Sequence, residues 1–185
     1  MLVYKIGNVL DALDNGDVDI VAHGVNCMGG FGSGIAGEIA IRYPIVRTHY
    51  IQQYFGQMGW QLSQIQFIHI DEDPHGKIIA NCATQYAYGK SSFCHADYKA
   101  ISSVMQKLYL KCASEKRVLG IPLIGAGLAG GDWKIIERII SEIFTNYDIN
   151  VYKLQEEICP TKNLPSSIPA CLAHSTTPSS EQKAA

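Results

Sequence analysis

The sequence predicts a single α/β domain with a largely parallel or mixed sheet of about six strands. Apolar runs of strand length alternate with longer segments of helical period, and this alternation is typical of α/β folds. The chain has 185 residues, of which 47% are hydrophobic and 17% are charged. This length and composition are enough for one hydrophobic core, whereas two full domains would be cramped. We therefore expect one globular domain over residues 1–155.

The predicted strands are apolar runs that begin or end at turn residues. We expect the first two to be central and buried. The third and fourth flank a turn that contains Pro74 and Gly76, and this pattern predicts a local antiparallel pair. The predicted strands cover residues 2–6, 18–24, 64–70, 77–83, 118–123 and 149–154.

Four helices are predicted between these strands. One begins near Gly34 and extends to Tyr43, where Pro44 stops it and opens a second helix that extends to about Phe55. Residues 95–113 carry apolar side chains at a spacing that forms one stripe, so we expect this helix to pack on the sheet. Asp132 is positioned to cap a helix that extends to about residue 144.

Residues 156–185 are assigned to a C-terminal tail that is rich in Pro, Ser, Thr and Ala, a composition that predicts flexibility. The formal net charge of −2 provides no long-range field that would attract nucleic acid or an anionic membrane. The six cysteines are too widely spaced for a zinc ribbon, and we expect no metal site and no cofactor. The sequence lacks a signal-like or membrane-spanning segment, so we expect a cytoplasmic protein without membrane or strong nucleic-acid contacts.

Residues 27–37, which we call loop 1, are a glycine-rich segment between a predicted buried strand and a predicted helix. Glycine lets the backbone approach a phosphate closely, and the following helix presents free amide groups and the positive end of its dipole. An ordinary strand-to-helix turn needs one or two glycines, whereas residues 29–37 contain five. Loop 1 therefore predicts a site for a phosphate or diphosphate.

Residues 32–37 also fit the GxGxxG pattern of dinucleotide-binding folds, which would indicate a nicotinamide-dependent oxidoreductase. In that fold the pattern follows the first strand, and an acidic residue stands about 20 positions further on. Here another strand precedes the unit, and residues 55–59 read Phe-Gly-Gln-Met-Gly. The context therefore argues against a dinucleotide fold.

Residues 121–133, which we call loop 2, repeat the arrangement of loop 1. Loop 2 leaves a predicted buried strand, contains four glycines and enters the helix that Asp132 is predicted to cap. Two such loops at the carboxyl ends of strands should line one crevice. A diphosphate held between them fits this arrangement better than a single phosphate does.

Together with residues 18–26, the two loops make the sequence resemble the macro domain family. The resemblance covers about residues 2–154 and is strongest to the branch with ADP-ribose 1''-phosphate phosphatases and terminal ADP-ribose hydrolases. Its features are a His in the second strand, a Gly-Ser-Gly-Ile-Ala loop, Arg-Tyr-Pro at 42–44, Ile-Gly-Ala-Gly-Leu at 124–128 and a final Val-Tyr-Lys-Leu strand. The resemblance implies a three-layer α/β/α macro domain that binds ADP-ribose.

Site residues follow from this resemblance position by position. Asp19 matches the acidic residue that accepts from the adenine amino group, Asn26 matches the residue at the distal ribose, and Tyr152 matches the aromatic beside the adenine. The remaining matches lie in the two phosphate-binding loops. They are Gly30, Gly32, Ser33, Gly34, Ile35 and Ala36 in loop 1, and Gly125, Ala126, Gly127 and Leu128 in loop 2.

Two residues are candidates for acid–base catalysis. His23 stands where most macro domains have Asn, and a histidine titrates near neutrality and could move a proton. His23 could equally be a buried core residue that is hydrogen-bonded internally. Asp132 is the second catalytic candidate, although it could also serve only as a helix cap.

Two departures from the family pattern bear on the reaction. Macro hydrolases that remove ADP-ribose from glutamate or DNA carry a lysine where this chain reads Cys82-Ala83-Thr84-Gln85, and an acidic residue where this chain has Ala129. Covalent catalysis through lysine is therefore unsupported. The resemblance favours a phosphatase acting on ADP-ribose 1''-phosphate. The alternatives are a hydrolase acting on ADP-ribosylated protein or nucleic acid, and a non-enzymatic ADP-ribose reader.

Overall fold

A computed structural model describes residues 1–73, 75–89 and 94–155. The predicted tail, residues 156–185, lies outside the described residues. Within them the chain forms six strands and five helices in the order β1 (Leu2–Ile6), α1 (Val9–Asn15), β2 (Ile20–Asn26), α2 (Gly34–Arg42), α3 (Pro44–Tyr54), β3 (Ile65–His69), β4 (Ile78–Gln85), α4 (Tyr98–Glu115), β5 (Leu119–Ile121), α5 (Trp133–Ile143) and β6 (Ile149–Lys153).

The six strands form one mixed sheet in the order β1-β6-β5-β2-β4-β3. Four pairs are parallel, and β3 pairs antiparallel with β4. The predicted hairpin and the predicted sheet are therefore confirmed. The prediction that the first strand is central is wrong, because β1 is an edge strand and three of its five side chains are exposed.

Helices cover both faces of the sheet, which confirms the three-layer α/β/α architecture. On one face α4 and α5 pack over Ile20, Ala80 and Ile121. On the other face α1, α2 and α3 pack over Val21 and Ile79. The alternation of side chains along β2 and β4 supplies both cores, because successive residues of a strand point to opposite faces.

The helix boundaries follow from local capping. Pro44 is at the first position of α3, as the sequence predicts, and its ring cannot continue α2. Asp132 caps α5, because its Oδ1 accepts from the amide of Lys134 at 2.8 Å. The sequence patterns do not predict the short helix α1, because only seven residues separate its N-cap, Asn8, from Gly16, which ends it in a left-handed conformation.

No helix in the described part of the chain is long and apolar enough to cross a bilayer.

We expect that Leu108→Ala will lower the free energy of unfolding by about 2–5 kcal/mol, because Leu108 is fully buried on the inner face of α4. Leu110→Ala is the matched control, since Leu110 lies on the same helix and is 66% exposed. The control should change stability by less than about 0.5 kcal/mol. Denaturant unfolding measures both, and equal losses would contradict the assignment of the packed face.

Candidate functional site: two glycine loops at the carboxyl edge

The carboxyl ends of five parallel strands lie at one edge of the sheet, and loops 1 and 2 follow two of these ends. Loop 1 leaves β2 and loop 2 leaves β5, which is paired directly with β2. The amide of Gly7, just after β1, donates to the carbonyl of Lys153 at the end of β6, so these two strand ends are also adjacent. The predicted convergence of the loops is therefore what the topology produces.

The side chain of Asn26 holds the first half of loop 1. Its Nδ2 donates to the carbonyl of Gly30 at 2.6 Å, and its Oδ1 accepts from the amides of Met28 at 3.0 Å and Gly30 at 3.1 Å. The buried Tyr50 hydroxyl donates to the carbonyl of Asn26 at 2.8 Å. Asn26 is 6% exposed, so much of its hydrogen-bonding capacity serves the loop. Its predicted contact with a ribose is untested.

Two tyrosine rings lie against the glycines of loop 1. A Cβ built on Gly29 would come within 2.8 Å of Cε1 of Tyr54, and one built on Gly30 within 2.6 Å of Cε1 of Tyr88. Gly29 also has φ +79°, a conformation that residues with a Cβ rarely adopt. Glycine is therefore required at both positions for close packing.

The second half of loop 1 leaves its amide groups available. Within residues 1–73, 75–89 and 94–155, the amides of residues 32–36 donate no hydrogen bond to the protein. They stand at the start of α2, where the helix dipole adds positive potential. Ser33 is the N-cap residue and Gly34 has φ +54°. These amides can donate hydrogen bonds to an anion without help from a charged side chain.

Loop 2 is closed on itself by glycines that allow tight backbone contact. The amide of Gly131 donates to the carbonyl of Gly125 at 2.9 Å, and a Cβ on Gly131 would lie 2.6 Å from that oxygen. Gly125 has φ +75°. In the described part of the chain, the amides of Gly127 and Leu128 have no protein acceptor. Loop 2 therefore also presents free donors.

The segment between β4 and α4 supports loop 2 from the side. The amides of His95 and Ala96 both donate to the carbonyl of Ala129, at 2.8 and 3.1 Å. The amide of Asp132 donates to the hydroxyl of Tyr98 at 2.9 Å. These bonds fix the outer part of loop 2, while Leu128, 72% exposed, extends towards loop 1.

The two loops approach each other at Gly34 and Leu128. A Cβ on Gly34 would lie 3.7 Å from Cδ1 of Leu128, an ordinary van der Waals contact. The free amides of both loops therefore lie near one contact point at the carboxyl edge, and neutral donors grouped in this way are suited to a multiply charged anion. Among the residues described, no three His, Cys, Asp or Glu side chains are grouped closely enough to hold a metal ion.

His23 lies inside the protein rather than in the crevice. It is 0% exposed, its Nε2 lies 2.6 Å from Oδ1 of Asn81, and its ring meets Phe31 edge-on at 5.6 Å between centroids. Asn81 donates in turn to Oε1 of Gln66 at 3.1 Å, so its Oδ1 accepts from His23. Burial lowers the pKa of His23 to about 4, against the opposing effect of the Asn81 hydrogen bond.

A neutral, buried imidazole that donates through Nε2 is a poor general acid at pH 7. The geometry of His23 therefore favours the core interpretation that the sequence left open. Its catalytic role stays a prediction, and the burial of the ring argues against it.

The position of Asp19 contradicts its assignment to the ligand site. Asp19 immediately precedes β2 and so lies at the amino end of that strand, whereas both loops lie at the carboxyl ends. Its Oδ2 accepts from the amide of Val118, just before β5, at 2.7 Å. The carboxylate joins the amino ends of two neighbouring strands, a full strand length from the crevice.

Asn8 is the polar residue that the sequence reasoning missed at the β1 end of this edge. Its Oδ1 accepts from the amide of Leu10 at 2.9 Å, and its Nδ2 donates to Oε1 of Glu38 on α2 at 2.7 Å. The pair Gly7-Asn8 directly after a predicted strand was the signal that could have revealed it.

The two remaining predicted residues, Tyr152 and Asp132, lie on segments at the carboxyl edge of the sheet. Tyr152 is in the second half of β6, partly buried against the cluster formed by α1, α2 and α3. Asp132 ends loop 2, and one oxygen of its carboxylate serves as the α5 cap. The adenine role of Tyr152 and the catalytic role of Asp132 stay predictions.

Comparison with known proteins gives relatives of low identity over most of the chain. An uncharacterised 17.5 kDa protein of Enterobacteria phage T4 is 28% identical over 132 residues, covering 70% of this chain and 82% of the relative. An ADP-ribose 1''-phosphate phosphatase of Candida albicans is 26% identical over 158 residues, covering 82% and 99%. No protein-family model matches the chain.

Solved structures share the fold. The macrodomain of Mycobacterium tuberculosis DarG superposes with a TM-score of 0.68 at 23% identity, over 82% of this chain and 97% of that one. Thermosipho africanus DarTG, in a complex with ADP-ribose, gives 0.62 at 18% identity, over 78% and 40%. The fold is an α/β module in which two glycine-rich loops follow the neighbouring strands β2 and β5. That fold is the macro domain fold, which confirms the resemblance seen in the sequence.

We expect Asp19→Ala to leave the affinity for ADP-ribose unchanged within about twofold and to lower the free energy of unfolding by about 1 kcal/mol. The stability loss reflects the lost hydrogen bond to the amide of Val118. Calorimetric titration and denaturant unfolding measure the two effects. A tenfold loss of affinity would return Asp19 to the ligand site.

The buried His23 predicts a pH-dependent stability. Its folded pKa is about 4, below the ordinary value of 6.5, so the unfolded chain binds more protons between these values. Stability should therefore rise with pH from about 4 to about 6.5 and then level off. In His23→Ala this rise should be shallower by up to about 1.4 kcal/mol per pH unit, because the variant lacks the imidazole that takes up a proton only in the unfolded chain. Identical slopes would contradict the neutral, buried state.

Proposed function

We propose that this chain binds ADP-ribose in the crevice between loops 1 and 2 and removes the phosphate from ADP-ribose 1''-phosphate. The observation that carries the proposal is the approach of the two loops at Gly34 and Leu128, with unpaired amides on both sides. A diphosphate has the charge and length to accept from both sets of donors.

The relatives support the choice of ligand and reaction. The Thermosipho africanus neighbour was solved with ADP-ribose, and the Candida albicans relative is named an ADP-ribose 1''-phosphate phosphatase. The latter aligns with this chain along 99% of its own length. The ligand class is therefore a small molecule. A cytoplasmic location stays an expectation from the sequence.

The reaction is hydrolysis of a phosphate monoester. Water attacks phosphorus, the bond between phosphorus and the 1'' oxygen breaks, and the ribosyl oxygen takes up a proton, giving ADP-ribose and inorganic phosphate. Charge in the transition state is spread over the phosphoryl oxygens. The chain's contribution is to orient the ester and to direct fixed amide dipoles at that charge, which need no reorganisation during the reaction.

Catalysis through a lysine is not expected at the end of β4. Gln85 occupies that end, and its Nε2 donates to the carbonyl of Ala87 at 2.8 Å. An amide can neither form a Schiff base nor act as a base at neutral pH. This favours direct attack by water over the covalent route to de-ADP-ribosylation. Lys90 lies outside the described residues.

Gly34→Glu should abolish ADP-ribose binding, for which we expect micromolar affinity, about −8 kcal/mol, in the unmodified chain. The substitution puts a side chain and a negative charge between the loops. Gly16→Glu is the matched control. Gly16 has φ +79°, a Cβ there would meet nothing within 4 Å, and it lies between α1 and β2, away from the crevice.

Both variants suffer similar backbone strain, so equal melting temperatures with unequal binding would localise the site. Calorimetric titration with ADP-ribose, together with phosphate release from the 1''-phosphate, tests the proposal. Binding without phosphate release would identify a reader. Release of ADP-ribose from a modified protein without phosphate release would identify a hydrolase. Equal binding by the two variants would contradict the proposed crevice.

A further inference from the structure

The sheet order fixes which segment lies beyond the distal end of the proposed ligand. Tyr152 on β6 is assigned to the adenine and Asn26 on β2 to the distal ribose, so the ligand crosses the strand ends in the order β6, β5, β2. The next strand in that order is β4. The described residues just after β4, 86–89, therefore lie on the side of the distal ribose, where one of their side chains can border the attached group.

The main chain after β4 is fastened to loop 1. The amide of Cys27 donates to the carbonyl of Tyr86 at 2.9 Å. Gln85 donates through its side chain to the carbonyl of Ala87 at 2.8 Å, which shapes the turn. The backbone of residues 85–87 is thus held in place by these contacts.

Tyr88 is the side chain that this turn places over loop 1. Its ring lies so close to Gly30 that a Cβ there would be 2.6 Å from Cε1 and 2.7 Å from Cζ. Gly30 is itself fixed through Asn26. Tyr88 nevertheless remains 56% exposed, so one side of the ring covers the loop and the other faces solvent. The three atoms nearest to a Cβ built on Gly30 all belong to the Tyr88 ring. The neighbouring Tyr86 is 64% exposed and is not among them.

We propose that Tyr88 is a specificity-determining residue that limits the size of the group on the distal ribose. The ring closes the loop 1 end of the crevice on the β4 side. A compact anionic group such as phosphate fits beside the ring, whereas a peptide attached at the same carbon must displace it. The inference rests on the proposed function, because it requires ADP-ribose to lie in the crevice in the stated direction.

The test compares the full-length chain with Tyr88→Ala and the matched control Tyr86→Ala. Three ligands are used: ADP-ribose, ADP-ribose 1''-phosphate and a peptide that carries ADP-ribose through its 1'' position. Calorimetric titration gives the affinities, phosphate release gives kcat and KM, and thermal melting verifies that each variant is folded.

The unmodified chain should bind ADP-ribose at least about tenfold more tightly than the ADP-ribosylated peptide. Tyr88→Ala should reduce this preference at least about fivefold by strengthening peptide binding, with ADP-ribose affinity unchanged within about threefold. Tyr86→Ala should behave like the unmodified chain. The main readout is a ratio of two affinities in one folded protein, which a loss of stability alone would not move.

Each contrary outcome has its own meaning. An unchanged preference in Tyr88→Ala, or no preference in the unmodified chain, overturns the role of Tyr88 while ADP-ribose binding stands. A shifted preference without phosphate release overturns the phosphatase activity and leaves the role of Tyr88 intact. Failure of the unmodified chain to bind ADP-ribose overturns both.

Discussion

The candidate site depends on the side chain of Asn26, which sits where β2 ends and loop 1 begins. It accepts from two amides and donates to one carbonyl within the next four residues, and its own carbonyl accepts from the buried Tyr50 hydroxyl. Tyr50 is held by tilted ring contacts with Phe31 and Trp60, at 4.9 and 5.2 Å between centroids. The hydrophobic core thus determines the path of loop 1, and loop 1 determines where the free amides at the start of α2 point.

A site built from backbone amides explains the glycine content better than flexibility does. Gly29 and Gly30 admit aromatic rings, Gly37 admits the carbonyl of Gly32, and Gly131 admits the carbonyl of Gly125. At each position the missing Cβ allows a close approach that fixes the loop. Gly32 and Gly127 differ, because a Cβ there would meet nothing within 4 Å and would extend into open space. Those two positions face the room that a ligand could occupy.

Most of the fold could be predicted from local sequence patterns, because strand and helix periods and the Pro44 and Asp132 signals act over a few residues. The burial of β1 could not, since an apolar run such as residues 2–6 does not reveal whether the strand is at the edge or the centre. The edge position arises from pairing with β6, almost 150 residues away.

The sequence predicts the two loops of the site, but it does not predict the location of every side chain assigned to it. The family motif assigns Asp19 to the ligand site, whereas the direction of β2 puts Asp19 at the opposite edge of the sheet from the loops. His23 was ambiguous because its neighbours come from other strands. Only the pairing of His23 with Asn81 across β2 and β4 reveals the partner that holds the ring in the core.

The hydrogen bonds from His23 to Asn81 and from Asn81 to Gln66 also constrain how the strands align. They cross three adjacent strands on one face, and Gln66 extends the series to the carbonyl of His49 on α3. A slip of β4 by one residue would turn Asn81 to the other face, leaving buried polar groups without partners among the apolar side chains beneath α4. Apolar residues alone would tolerate such a slip more easily. These three polar side chains therefore select a single register of β2, β4 and β3. The register in turn fixes the position along the sheet at which loop 1 begins.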